Sequence, residues 1–396
     1  MRETNSMTEK TKKGLARVEE IYEDRSKRAI ELKEQGKKII GYLCIYPVIE
    51  MLTALDMVPF RIFGDIKEPI TKADACLPTV VCPFLRSSLD LGLKGRYNFL
   101  EGTVMSHACE VCEKTAHIWK TYIEQKYTFF IDVPHTVHEA AQEHLKGLLE
   151  DFRKTLEAFT GKDLSNDKLT KAIKLHNEQR KLVREIYELR KPNPPLISGV
   201  ETIKLIKSLM SVPVEEGNDI LKDVLAELKN RKNAPQKKSI RLLLWGSIID
   251  DASLIEIIEN ADANLVMDDT CVGTRPYFDD VKLTADPLEG LAYHYLVDIK
   301  CPRTFRESEY GETSKNYMKD LSSRFSYLSD YARDWKVDGI ILHSLRFCDI
   351  HGYEVPAIRD FLDSKGIKSI YLEPDYTESA LGPLRTRIEA FIETLG

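Results

Sequence analysis

Short apolar runs that give way at once to a helical pattern recur along this chain, and four of them end at a cysteine. Cys44 closes the run Ile39 to Leu43, Cys109 follows Thr103 to Met105, Cys271 follows Asn264 to Met267, and Cys348 follows Gly339 to Leu342. Strands that alternate with helices imply a mostly parallel sheet, because parallel strands need a long crossover between them. In open α/β sheets ligands bind in the crevice beyond the carboxyl ends of the strands. A helix that starts there carries partial positive charge and is expected to lower the pKa of a neighbouring thiol. Thiolates gathered at such a crevice point to a metal centre, with iron and sulfur foremost.

With 396 residues the chain exceeds one comfortable core, since domains run to ~100–200 residues, and two or three domains are expected. We divide it into a charged N-terminal helical segment (1–37), a first α/β domain (38–134), a helical connector (135–238) and a second α/β domain (239–396). The first α/β region reads as strands near 39–44, 57–63, 103–105 and 128–133, with helices over 47–55 and 109–122. Pro47 is placed in the first turn of its helix, where a missing N–H is harmless. The connector is a block of long amphipathic helices, interrupted by three prolines between Lys191 and Ser198. The second region repeats the pattern, with strands at 240–245, 264–267, 339–342 and 367–372 and helices at 252–259 and 355–363. The predicted fold class is α/β: two Rossmann-like parallel-sheet domains joined by a helical block, their cysteines facing a common cleft.

Composition excludes several functions. At 43% apolar and 30% charged the chain is globular, and a net charge of -6 offers no electrostatic footprint for nucleic acid. The most apolar stretch, Ile39 to Phe60, contains Glu50, Asp56 and two prolines, so it is strand, turn and helix rather than a membrane span. No secretory signal precedes it, and a cytoplasmic protein is expected. Eight cysteines in a reducing compartment are thiols or metal ligands more readily than disulfides. There is no GxxxxGK[ST] loop, no GxGxxG after a strand, no GxSxG and no HExxH, so any ATP-driven step must come from a partner.

The cysteines are Cys44, Cys76, Cys82, Cys109, Cys112, Cys271, Cys301 and Cys348. Cys109 and Cys112 form a CxxC, which fits a redox dithiol, a zinc ligand pair or a coincidence on a helix face. Any one cysteine also fits a small buried core residue. Zinc usually takes two close pairs, and only one is present. Iron-sulfur clusters accept thiolates from distant loops, and three thiolates leave one iron open as a Lewis acid.

Four segments carry a resemblance to a known family: VVCPFLRSSLDLGLKGRYNFLEG (Val80 to Gly102), HACEVCEKTAHIWK (His107 to Lys120), FCDIHGYEVPAIRDFLDSKGIKSIYLEPDY (Phe347 to Tyr376) and LRTRIEAFIETL (Leu384 to Leu395). With LHNEQRKLVREIYELRK (Leu175 to Lys191), the chain from about Lys38 onward resembles the iron-sulfur subunits of 2-hydroxyacyl-CoA dehydratases and ATP-dependent benzoyl-CoA reductases. The resemblance implies that Cys82, Cys109 and Cys348 bind one 4Fe-4S cluster through the CPF, HAC and FCD motifs. It implies a proton-transfer role for Glu50 near the active-site cleft. Ser87 and Ser88 are assigned hydrogen bonds to cluster or substrate, or a cap on the next helix, with Ser87 taken as catalytic beside Glu50. Arg86 is a candidate to offset the anionic cluster, and Lys94 and Arg96 are candidates for coenzyme A phosphates. Cys44, Cys271 and Cys301 match cysteines of a side branch, the double-cubane-cluster reductases, in which two sets of three thiolates hold linked cubanes, an 8Fe-9S cluster. The tail reads GPLRTR where the family often shows GQ before RTR, and Val48 replaces a usual proline; these departures bear on substrate and subclass.

The implied function is one subunit of an oxygen-sensitive lyase or oxidoreductase acting on an acyl-CoA, paired with a sister subunit or a second copy of itself. A separate ATP-hydrolysing iron-sulfur activator would supply low-potential electrons. A double-cubane reductase of small molecules, a noncatalytic partner subunit, and a zinc or thiol-redox protein built on Cys109 and Cys112 are the alternatives.

Overall fold

The computed structural model describes residues 12–308 and 316–396, so the first eleven residues of the predicted N-terminal segment lie outside it. Two four-stranded sheets organise the chain, and every pairing within them is parallel. The first holds β1 (Lys38–Tyr42), β2 (Met57–Arg61), β3 (Gly102–Ser106) and β4 (Tyr127–Ile131) in the order β2-β1-β3-β4. The second holds β5 (Ile240–Gly246), β6 (Ala263–Asp269), β7 (Gly339–His343) and β8 (Ser369–Leu372) in the order β6-β5-β7-β8. The two orders are the same, so the coarse likeness between the two regions is a shared topology. The α/β class and its two Rossmann-like sheets are as read from the sequence.

The central strands IRLLLWG and GIILH are buried along their whole length, and KIIGY is buried after Lys38, because helices cover both faces of each sheet. In each sheet the chain leaves the first strand on one side and returns to the third on the other. The topological switch therefore falls between β1 and β3, and again between β5 and β7. Cys44 follows β1, Cys109 follows β3 and Cys348 follows β7. Four helices, Glu139–Thr160, Asn166–Glu188, Gly199–Leu209 and Val214–Lys229, run between the two sheets in sequence. The proline run between Lys191 and Ser198 separates the second of these from the third, and Ser198 opens the third with a capping box to Glu201.

The structure departs from the sequence expectations in local ways. The charged N-terminal segment is two helices, Gly14–Glu23 and Arg25–Glu34, because the Asp24 carboxylate accepts the N–H groups of Ser26 and Lys27 and so starts a new helix. Pro47 lies outside its helix, which is the single turn Ile49–Thr53 capped by Val48. Ser87 and Ser88 lie inside the helix Pro83–Leu93, whose N-cap is Cys82 with Pro83 in its first turn.

Gly246 marks where the second sheet is tightest. It pairs with His343 across β5 and β7, and a Cβ at that position would collide with the His343 carbonyl oxygen. Gly246→Ala should destabilise the chain by about 1–3 kcal/mol through overpacking. The measurement is the denaturation midpoint, shifted with the slope unchanged.

Candidate metal centre

Helix starts converge on one place. Cys82, Cys109 and Cys348 are each an N-cap residue, of the helices Pro83–Leu93, Glu110–Tyr122 and Asp349–Gly352. The Cys109 sulfur accepts the backbone N–H of Cys112 at 3.4 Å, the capping bond that a Ser or Asp oxygen makes elsewhere. Cys44 leaves β1 with φ 70°, and Phe347, just before Cys348, has φ 60°. These left-handed turns cost about 1–2 kcal/mol each in an L-residue, and they occur where the chain aims a cysteine inward.

Seven of the eight cysteines, all but Cys76, line a single cavity of about 630 Å³. Leu43, Phe84, Leu85, Ile248, Leu345 and Ile350 form its apolar walls, and no carboxylate lines it among the described residues. Both sheets contribute through their carboxyl ends, so the cavity is the cleft expected from the two switch points. Within it Cys82 and Cys348 lie near Cys109, Cys44 lies near Cys271 and Cys301, and the two sets adjoin each other through Cys109 and Cys301, through Cys348 and Cys271, and through Cys112.

The thiol acidity runs opposite to the sequence expectation. Burial pushes Cys82 and Cys44 up to about 12, and raises Cys109, Cys112, Cys271 and Cys348. The helix-start N–H groups do pull downward, for example those of Leu85 and Phe84 on Cys82, but desolvation outweighs them. The protein environment by itself therefore favours neutral thiols, and their deprotonation would require a bound cation.

Three arginines that the sequence reading did not single out stand around the sulfurs. Arg61 and Arg303 line the cavity. Arg61, at the end of β2, donates to the Cys271 carbonyl oxygen at 2.8 Å. Arg275 donates to the Cys271 sulfur at 3.4 Å while paired with Asp269 at 3.1 Å. Its Nη1 also lies 3.3 Å from His351 Nε2, and His351 Nδ1 lies 3.5 Å from the Cys348 sulfur. Guanidinium is donor only, so in its contact with Arg275 the His351 Nε2 accepts. Arg275 thus joins a sulfur of one group to a sulfur of the other. Arginine closing an otherwise apolar strand, as in MVPFR, was the available signal for Arg61.

A metal centre fits these residues when it contains several ions. Tetrahedral zinc with Zn–S near 2.3 Å needs sulfurs ~4 Å apart. Among the described residues no three cysteine sulfurs come within 4.8 Å of one another; the one group that close is His107, Glu110 and Glu113, which contains no sulfur. Soft donors set too wide for one ion, in an apolar cavity flanked by arginines, suit an anionic cluster. The mononuclear zinc alternative on Cys109 and Cys112 has no such support.

The remaining sequence candidates lie outside this cavity. Ser87 is bonded to the backbone of Asp65, accepting its N–H at 3.0 Å, and holds the loop after β2. Arg86 pairs with Asp74. Lys94 pairs with Asp90 at 2.6 Å and Arg96 with Glu68, so both of these phosphate candidates already hold carboxylates. Glu50 is fully buried, held by Arg180 and by the Tyr295 hydroxyl at 2.8 Å. Arg180 and Tyr295 line a second chamber of about 460 Å³ with His176 and His294, and this chamber shares Arg61 with the cysteine cavity. Burial alone would raise the Glu50 carboxyl, but Arg180 and His176 prevail and hold it at about 2.

Fold and site together define a two-sheet α/β protein whose facing strand ends enclose a cysteine-lined cavity. The profile of the 2-hydroxyglutaryl-CoA dehydratase D-component family matches residues 44–395, and the chain belongs to that family. It is 27% identical over 389 residues to a benzoyl-CoA reductase subunit of Thauera aromatica, covering 96% of this chain and 97% of that one. It is 26% identical over 378 residues to the (R)-phenyllactyl-CoA dehydratase beta subunit of Clostridium sporogenes, with 95% and 97% covered. With the beta subunit of (R)-2-hydroxyglutaryl-CoA dehydratase of Acidaminococcus fermentans it shares 23% over 369 residues, covering 92% and 94%. Among the described residues no helix is long and apolar enough to cross a membrane.

Glu50→Gln leaves Arg180 buried without a counter-charge, a loss of about 3–5 kcal/mol. A carboxylate whose pKa falls on folding gives its full stabilisation above its ordinary value of 4.5 and loses it as pH falls toward 2. Melting curves should therefore show the wild-type advantage over Glu50→Gln constant at neutral pH and shrinking below about pH 4.

Proposed function

We propose that the chain is the iron-sulfur subunit of an acyl-CoA dehydratase or reductase, the reactions carried in its relatives' names. The observation that carries this reading is the gathering of seven cysteines in one cavity at the ends of both sheets. Cys82, Cys109 and Cys348 would bind one 4Fe-4S unit, and Cys44, Cys271 and Cys301 a second, forming a double cubane. When bound, such a centre handles single electrons at low potential and offers an iron as a Lewis acid toward a substrate oxygen.

The chain's own residues prepare the cavity for that task. Arg61, Arg275 and Arg303 balance negative charge on the sulfurs, and the His351 ring stands beside Cys348. Apolar walls keep water from the reduced centre. Beside it, Tyr295 keeps its proton on the hydroxyl against Glu50 Oε2, and Arg180 keeps Glu50 ionised. Glu50 is a positioning carboxylate in this state and takes up a proton only if the pair with Arg180 opens. The chain has no nucleotide loop, so the electron source is a separate ATP-hydrolysing protein, and a sister subunit completes the enzyme. That its relatives are named as subunits supports the sister subunit.

Iron and acid-labile sulfide, counted on anaerobically purified protein, test the reading. Two cubanes predict about eight irons per chain, and Cys271→Ser should remove about half of them, while Cys76→Ser removes none. About four irons, unaffected by Cys271→Ser, would reduce the second triad to packing; none at all would end the proposal.

A further inference from the structure

Among the described residues the one tight group of potential metal ligands is His107, Glu110 and Glu113, and neither the fold nor the thiol cavity gives it a task. A ring nitrogen of His107 and one carboxylate oxygen from each glutamate all lie within 4.8 Å of one another. His107 follows β3, while Glu110 and Glu113 stand three apart on the helix Glu110–Tyr122 and so share a face of it. One turn further on, His117 Nε2 lies 3.5 Å from Glu113 Oε1. Both histidine rings pack beside Phe130 of β4, with centroids 6.2 and 6.0 Å from its own.

His107 is fixed at three points. Its backbone N–H donates to the Ile131 carbonyl at 2.9 Å, its carbonyl accepts from Arg303 Nε at 2.8 Å, and its Nδ1 donates to the Asp132 carboxylate at 2.7 Å. A carboxylate only accepts, so Nδ1 carries a proton and Nε2 is the nitrogen left for an ion. A carboxylate behind an imidazole is the arrangement that orients histidine toward a metal and raises its basicity. Acidic residues in a first turn also suit a helix N-terminus. That accounts for Glu110 and Glu113, but not for the two histidines and Asp132 that meet them.

We propose that His107, Glu110 and Glu113 bind one divalent cation of the manganese or ferrous type on the outer side of the Cys109 turn, with Asp132 orienting His107 and water completing the coordination. One imidazole with two carboxylates suits such an ion, whereas thiolate-seeking ions go to the cavity. Bonds of about 2.1 Å put two ligand atoms on one ion at most ~4.2 Å apart, a distance that small rotations of the glutamates reach. Lys114 Nζ, 3.2 Å from Glu113 Oε1, is exposed and swings into solvent as the ion binds. The ion joins the end of β3, the start of the helix and, through Asp132, the end of β4. It thereby braces from the solvent side the turn that carries Cys109.

The site does not depend on the iron-sulfur reading, because Mn²⁺ takes oxygen and nitrogen donors in preference to thiols. Tag-free protein, purified anaerobically with whatever it carries, is titrated with Mn²⁺ while the free ion is read from its six-line electron paramagnetic resonance. The expected result is one Mn²⁺ per chain in wild type and none in the double variant Glu110→Gln, Glu113→Gln. Asp132→Asn should weaken binding about 10–100-fold, and Glu150→Gln, an exposed acid on another helix, should leave it unchanged. Melting curves show that each variant folds, and Mn²⁺ should raise the midpoint of wild type but not of the double variant. At saturating Mn²⁺, spin-echo modulation should reveal a directly bound imidazole nitrogen in wild type that His107→Gln lacks. No stoichiometric Mn²⁺ on wild type, or binding that the double variant retains unchanged, would overturn the site; neither result bears on the cluster.

Discussion

A thiol buried among carbon and other thiols is a poor acid, and this molecule gathers seven of them at one point. Each raises its neighbours' pKa, and desolvation raises all of them further. Such a cavity is stable either as neutral thiols or as thiolates around strongly positive metal. The rest of the structure keeps that second state accessible. Helix starts donate N–H groups to the first triad, arginines stand behind the second, and acidic side chains stay off the cavity wall.

The two sheets explain how sulfurs more than two hundred residues apart meet. A parallel sheet sends all its strands out of one end, and the switch between neighbouring crossovers opens a crevice there. One such sheet supplies loops to one side of a ligand. Two sheets of the same order, with their carboxyl ends turned together, enclose it. Arg275 then ties the halves chemically as well as sterically, reaching from Cys271 to His351 and through it to Cys348.

Much of this was legible in the sequence because parallel strands buried on both faces are short, apolar and abruptly ended. The strands expected at 39–44, 103–105, 240–245 and 339–342 appear as Lys38–Tyr42, Gly102–Ser106, Ile240–Gly246 and Gly339–His343. What escaped depends on tertiary neighbours. The thiols are weaker acids than their positions suggest because a helix start is visible in a sequence and the depth of a cavity is not. Ser87 and Arg86 follow Cys82 closely, but a helix turns successive residues about 100° apart, so they face Asp65 and Asp74 instead. Arg61 and Arg275 are far apart in the chain, and only the closing of the two sheets brings both to Cys271.

The chain encloses an apolar, sulfur-lined chamber with a charged one beside it. Iron anomalous scattering from anaerobically grown crystals of the loaded protein tests the central claim most directly. The account predicts iron peaks inside the cavity, in contact with Cys82, Cys109 and Cys348 and continuing toward Cys44, Cys271 and Cys301. Iron found elsewhere, or a cavity filled by a single zinc ion, would contradict it.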